Sequence, residues 1–198
     1  DGNWESRNTL QGSELLGKNL LLVGFGRIGR EVGKRALAFG MQLHVYDPYV
    51  DEQQVGAAGA VYVKDLDTFL PKTDFLSLHL PYTPKNHHII GHEELRALPS
   101  SAYVINTARG GLIDENELFK ALESGNLAGA GLDCFEQEPP SKNLKLLTSG
   151  KVIVSPHNAS LTAECTRRLG LVCVENVVDA LTGCLKKERV VNWDAVHA

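Results

Sequence analysis

The sequence is defined first by what it lacks. Its four cysteines, Cys134, Cys165, Cys173 and Cys184, form no C-x-x-C pair, and no histidine stands at zinc-finger spacing from them. Neither a disulfide framework nor a structural zinc is expected, and the thiols read as reduced residues of a cytoplasmic protein. No Lys/Arg block is longer than Lys186-Lys187, and 20 basic against 24 acidic residues leave a net charge of −4. Nucleic-acid and membrane-surface binding both need a local positive field, so neither partner is expected. The strongest apolar run, 20–23, is far below the ~20 residues of a spanning helix. The chain also opens on Asp1-Gly2-Asn3-Trp4, with no initiator Met and no secretory segment, and so reads as a trimmed product or a piece of a longer chain.

What is present is ordinary globular material: 198 residues, 43% hydrophobic and 22% charged, enough to bury a core without cross-links. Short apolar runs at 19–24, 42–46, 60–63, 74–80, 102–108, 128–133 and 152–155 read as strands. They show little alternation, as strands covered on both faces do. Helical patterns fall between them at 27–39, 51–58, 66–70, 93–97 and 115–124. A longer one follows at 162–182, with Leu169, Val172, Cys173, Val177 and Leu181 on one stripe. Asp114 with Glu117 three residues on suggests a capping box for the fifth helix, and Gly125 its stop. The alternation predicts an α/β doubly wound parallel sheet of about seven strands, helices on both faces. No boundary shows between Asn19 and Thr182.

The first strand runs into Gly24-Phe25-Gly26-Arg27-Ile28-Gly29, a G-x-G-x-x-G. Its context strengthens it: an apolar strand before, an amphipathic helix after, and Asp47 closing the second strand about 20 residues on. In such a Rossmann turn Gly24 makes the tight bend, Gly26 admits a pyrophosphate, and Gly29 lets helix and strand pack closely. The amides near Arg27 and Ile28 then face phosphate at the positive end of the helix. Asp47 can accept from ribose hydroxyls but would repel a 2′-phosphate, so NAD is expected as cofactor. A turn residue before Pro48 is the plain alternative for Asp47.

Three later segments lie at strand carboxyl ends, where open α/β sheets bind ligands. They are Asn106 to Gly111, Asp133 to Pro140, and Ser155-Pro156-His157-Asn158. An arginine, acids and a histidine thus converge on one crevice. Arg suits a substrate carboxylate, His suits proton exchange near neutral pH, and a carboxylate can hold its imidazole. Alone, each residue would read as a surface pair or a packed side chain. His87, His88 and His92 read as a solvated loop, with no metal site, because no carboxylate completes an H-E-x-x-H pattern.

These segments, in this order, resemble the nucleotide-binding domain of the D-isomer-specific 2-hydroxyacid dehydrogenases. The resemblance covers Gly17-Lys18, Val23 to Gly29, Ala38 to Met41, Tyr46-Asp47-Pro48, His79-Leu80-Pro81, Asn106 to Asp114, Gly131 to Pro140 and Ser155-Pro156-His157. It implies that Arg109 grips the substrate carboxylate and carbonyl and that His157 exchanges the proton. Glu138 would be the carboxylate partner of His157, with Glu136 the competing choice. It further implies that Asp133 contacts the nicotinamide carboxamide and that His79, Leu80, Pro81, Thr107 and Ala108 line the cofactor cleft. Departures are Ala159 for a common Gly beside the cofactor, Asn86 for Thr, and Cys134 for Val.

The implied reaction is hydride transfer between C2 of a D-2-hydroxyacid and nicotinamide. An NAD(H)-sensing module of the co-repressor type is the alternative; an adenosylhomocysteine hydrolase would carry other residues at Arg109 and His157. Residues 1–198 read as one NAD-binding domain with a core of about 17–183. The ends, 1–16 and 186–198, read as connections to a substrate domain lying outside the chain, Trp4 in the entering link and Val190-Val191-Asn192 in a strand-like leaving tail. A homodimer through the nucleotide-binding domain is implied, as are weak or moderate NAD binding and little turnover by these residues alone.

Overall fold

The computed structural model describes residues 4–5 and 12–196; of the expected connecting segments 1–16 and 186–198, residues 1–3, 6–11 and 197–198 lie outside them. The chain divides into two compact units, residues 1–157 and 158–198. In the first, β1 (Asn19–Val23), β2 (Gln42–Tyr46), β3 (Val61–Tyr62), β4 (Phe75–Leu78), β5 (Tyr103–Asn106), β6 (Gly129–Leu132) and β7 (Val152–Val154) alternate with α1 (Arg27–Ala38), α2 (Glu52–Ala57), α3 (Leu66–Phe69), α4 (His92–Ala97) and α5 (Glu115–Glu123). The strands form one sheet in the order β3-β2-β1-β4-β5-β6-β7, all parallel. The strand order reverses between β1 and β4, which opens a crevice at their carboxyl ends.

Alternating side chains divide the core between the two faces. Leu20 and Leu22 of β1 join Leu43, Val45, Phe25, Ala36 and Val55 on one face. Leu21 and Val23 join Leu76, Leu78, Val104, Leu95, Leu118 and Leu122 on the other. Burial on both faces explains why the runs lack polar alternation. Helix α1 lies close to the sheet because its inner stripe is Gly29, Gly33 and Ala36; a Cβ on Gly33 would come within 2.7 Å of Leu43. Helix α5 starts where Asp114 accepts from the amides of Asn116 and Glu117 and stops at Gly125, φ +77°.

All seven strands and six helices stand where the pattern predicts them, but every strand except β2 ends earlier at its carboxyl end. At β5 the reason is local: the Asn106 carboxamide accepts from the Ala108 amide and donates to the Arg109 carbonyl, turning the chain out of the ladder. The Asp114 cap forms without the reciprocal half of the box. Glu117 instead meets Lys120 at 2.6 Å and His92 at 2.8 Å.

The second unit holds α6 (Ala163–Leu181), capped by the Thr162 hydroxyl, and α7 (Trp193–Val196). Arg189 reaches Glu175 and Asp179 of α6, each at 3.6 Å. No residue of α6 is buried; its apolar stripe looks in sequence like that of a packed helix, which hid the division after His157. The expected strand-like tail is corrected: Lys187–Arg189 forms a 3₁₀ turn and α7 follows, because the Lys186–Val190 stretch bends back to bond itself.

Burial favours the neutral form of two histidines in the first unit. Burial, then the Lys72 charge, lowers the pKa of His44, whose Nδ1 has no hydrogen-bond partner among the described residues. Burial takes His79 down from 6.5 to about 4, with its Nε2 2.9 Å from the Ser77 hydroxyl. An unfolded chain protonates both more readily. Stability is therefore expected to be full above pH 6.5 and to fall as pH drops from there toward 4, His79 contributing at most about 3 kcal/mol. Urea melts across that range check it: His79→Gln should flatten the slope, and an unchanged slope contradicts the assignment.

Candidate active site

Register sets the site. Val23 pairs with both Tyr46 and Leu78, Leu78 with Asn106, Asn106 with Leu132, and Leu132 with Val154. The next residues, Gly24, Asp47, His79, Thr107, Asp133 and Ser155, therefore stand in one row along the sheet's carboxyl edge.

The three loop glycines differ as their expected roles require. Gly24 has φ +98°, and a Cβ there would sit 2.5 Å from the His79 carbonyl oxygen. A Cβ on Gly29 would sit 2.5 Å from the Gly24 oxygen, whereas one on Gly26 meets nothing within 4 Å. Gly26 thus faces open space at the amino end of α1, whose first turn has neither a side-chain cap nor an acid. Such an end attracts anions. A cleft of about 420 Å³ is lined there by Gly26, Arg27, Ile28, His79, Leu80, Pro81, Thr107, Ala108 and Arg109. The Asp47 carboxylate accepts from the Phe25 amide at 2.7 Å and the Tyr49 amide at 2.9 Å. It is therefore fixed, with further lone pairs available for hydroxyl donors. Open space, uncapped amides and a fixed carboxylate suit a dinucleotide.

The adjoining pocket, about 230 Å³, brings Arg109, Glu138 and His157 together with Tyr82 and Glu136. Glu138 Oε2 lies 2.8 Å from His157 Nδ1, and its Oε1 accepts from the Phe135 amide at 3.0 Å. The His157 hydrogen bond above all, then the Phe135 amide, lowers the Glu138 pKa, and the Arg109 charge adds to this. His157 itself adopts φ +51°, a left-handed conformation uncommon outside glycine. Of the two acids open in the sequence, Glu138 reaches His157; Glu136 turns away, its Oε1 2.8 Å from His88 Nε2.

The remaining expected residues divide. Asp133 is buried and does not line the cleft; its carboxylate accepts from the Ser155 hydroxyl at 2.6 Å. Ala159 belongs to the second unit. The solvated-loop reading of His87, His88 and His92 is corrected: His92 opens α4 and pairs with Glu117, and His88 bridges carboxylates of two loops. Sequence reasoning passed over His88 because its partners are 26 and 48 residues away. Asn106 and Ser155 carried a signal, as polar residues closing apolar strands. Among the described residues no cluster of His, Cys, Asp and Glu could hold a metal ion. Cys134 is buried, and burial, then the Glu138 and Asp133 charges, pushes its thiol up to about 12, which makes it inert.

Residues 1–159 match the family model described as D-isomer specific 2-hydroxyacid dehydrogenase, NAD binding domain. The chain belongs to the D-isomer-specific 2-hydroxyacid dehydrogenases. It is similar to a D-3-phosphoglycerate dehydrogenase of Methanocaldococcus jannaschii, 44% identical over 96% of this chain and 36% of the relative. It is 45% identical to a hydroxypyruvate reductase of Thermotoga maritima, over 91% of this chain and 58% of that one. Among solved structures, an NAD-complexed D-isomer specific 2-hydroxyacid dehydrogenase of Lactobacillus delbrueckii ssp. bulgaricus superposes with a TM-score of 0.83 at 30% identity, over 94% of this chain and 60% of that one. Residues 1–159 of this chain are thus an NAD-binding domain of the family, and the chain spans 36% to 58% of the length of these curated relatives.

The glycine geometry separates binding from folding. Gly26→Ala should leave Tm within about 2 °C and weaken NADH binding roughly tenfold or more, by fluorescence titration. An alanine that binds NADH normally would show that the cradle is elsewhere.

Proposed function

We propose that the protein carrying this chain is an NAD-dependent oxidoreductase of D-2-hydroxyacids, acting between a 2-hydroxyacid and its 2-ketoacid. The observation that carries this reading is the 2.8 Å contact of His157 Nδ1 with Glu138, in one pocket with Arg109 and beside the cleft at Gly26. The Arg109 guanidinium holds the substrate carboxylate by paired hydrogen bonds. The Asn106 carboxamide shapes the loop that presents it. His157 keeps Nδ1 on Glu138, leaving Nε2 to take the hydroxyl proton in oxidation and return it in reduction. Glu138, ionised and anchored by the Phe135 amide, orients the ring and offsets the charge it gains. Gly24, Gly26, Arg27, Ile28, Gly29, Asp47, His79, Leu80, Pro81, Thr107 and Ala108 hold the cofactor. NAD, when bound, supplies the hydride acceptor. No observation favours the sensing module.

The cleft and pocket are open, and relatives are longer, which supports a second, substrate domain completing the site; these residues alone then bind NAD and turn over little. Four free cysteines support a cytoplasmic setting, and no helix among the described residues is long and apolar enough to cross a membrane. The exposed Ile153 of β7 and, separately, the exposed Leu169, Val177 and Leu181 of α6 support a homodimer.

In the intact gene product, with NADH and a panel of glyoxylate, hydroxypyruvate, pyruvate and phosphohydroxypyruvate, His157→Gln and Glu138→Gln should each lower kcat by about 10²–10⁴, with NADH affinity kept. A wild type that binds NADH and reduces none of the panel would sink the dehydrogenase reading. Sedimentation equilibrium should give twice the 21.6 kDa chain mass; a monomer at high micromolar concentration contradicts the dimer.

A further inference from the structure

We propose that His88 is a positioning residue that clamps the loop carrying Glu138 to the loop carrying Arg109, and so fixes the separation of these groups across the pocket. This rests on the dehydrogenase reading of that pocket. Arg109 lies on the loop after β5 and Glu138 on the loop after β6, so the sheet alone ties them only at their roots. Beyond the sheet the two loops touch backbone to backbone: a Cβ on Gly110 would overlap the Phe135 carbonyl and approach the Glu136 amide to 2.5 Å.

His88 lies on neither loop, yet it binds both. Its amide donates to the Gly111 carbonyl at 2.7 Å, and its segment continues beside the Arg109 loop through Ile90 N to Leu112 O and Asp114 N to Ile90 O, each 3.1 Å. Its side chain then crosses to the other loop, where Nε2 lies 2.8 Å from Glu136 Oε1, with Nδ1 3.5 Å from Asp114 Oδ2. Glu136 is gripped a second time, its amide donating to Glu115 Oε1 at 2.7 Å. Glu136 precedes Glu138 by two residues, so its position sets the approach of Glu138 to His157.

Three carboxylates, Asp114, Glu115 and Glu136, meet here, and the His88 imidazole is set among them. Burial above all pushes Glu115 up, the Glu136 charge adds to this, and the His88 charge opposes it. His88 adopts φ +52°, a conformation that persists in non-glycine residues where surrounding contacts over-determine it. Behind it the His87 ring stacks at 3.7 Å, with its Nδ1 3.2 Å from the hydroxyl of Tyr82, a wall of the pocket. The glycine-loop cleft touches none of these groups.

The test is a split of kinetic constants in the intact gene product. His88→Ala should lower kcat roughly tenfold or more while NADH Kd stays within about twofold, and His88→Gln, which keeps a donor toward Glu136, should recover most of the loss. Glu136→Gln should reproduce a smaller kcat loss if His88→Ala does not fold. Unchanged kcat in His88→Ala, or NADH affinity falling in step with kcat without rescue by Gln, overturns the clamp. A wild type inactive on every 2-ketoacid counts against the dehydrogenase reading alone. The clamp is then read in this chain by NMR: the Phe135 amide and Glu138 carboxyl resonances should shift in His88→Ala and return in His88→Gln, and unshifted resonances overturn it.

Discussion

Parallel register is the constraint on which the rest depends. Because Val23, Tyr46, Leu78, Asn106, Leu132 and Val154 are linked pairwise across the sheet, every strand stops at one edge. Loops up to 133 residues apart in sequence therefore deliver Gly24, Asp47, Arg109, Glu138 and His157 to one crevice. The apolar faces that hold the register, Leu20 and Leu22 on one side and Leu21 and Val23 on the other, are thus the physical origin of the site.

Above that edge, precision comes from close backbone approach and from carboxylates with assigned partners. Gly24, Gly29 and Gly110 stand where any Cβ would strike a carbonyl group, so neighbouring loops rest on each other directly. Asp47 holds the glycine loop through the Phe25 amide. Asp133 takes the Ser155 hydroxyl, Glu138 takes the Phe135 amide and His157, and Glu136 takes His88. Each acid at the edge is pinned before any substrate arrives, which is what preorganised chemistry requires.

Much of this was legible in the sequence because it is local. Apolar runs of strand length, the G-x-G-x-x-G turn, the distance to Asp47, and Arg109, Glu138 and His157 after later strands all survive as patterns of near neighbours. What the pattern hid is set by distant contacts. The choice between Glu136 and Glu138 depends on which carboxylate faces His157 after the chain has turned. The pairing of His88 depends on loops 26 and 48 residues away. The division after His157 was hidden because an amphipathic stripe reads alike on a packed and an exposed helix.

The proposed site brings cofactor and substrate groups together at the carboxyl edge between β1 and β5. The most direct measurement is the amide NMR spectrum of this chain titrated with NADH. Saturable shifts are expected at Gly26, Arg27 and Ile28, at Asp47, and at Thr107 to Arg109, with α4 and α5 unmoved. Shifts centred on the α4–α5 face, or none at millimolar NADH, would contradict it.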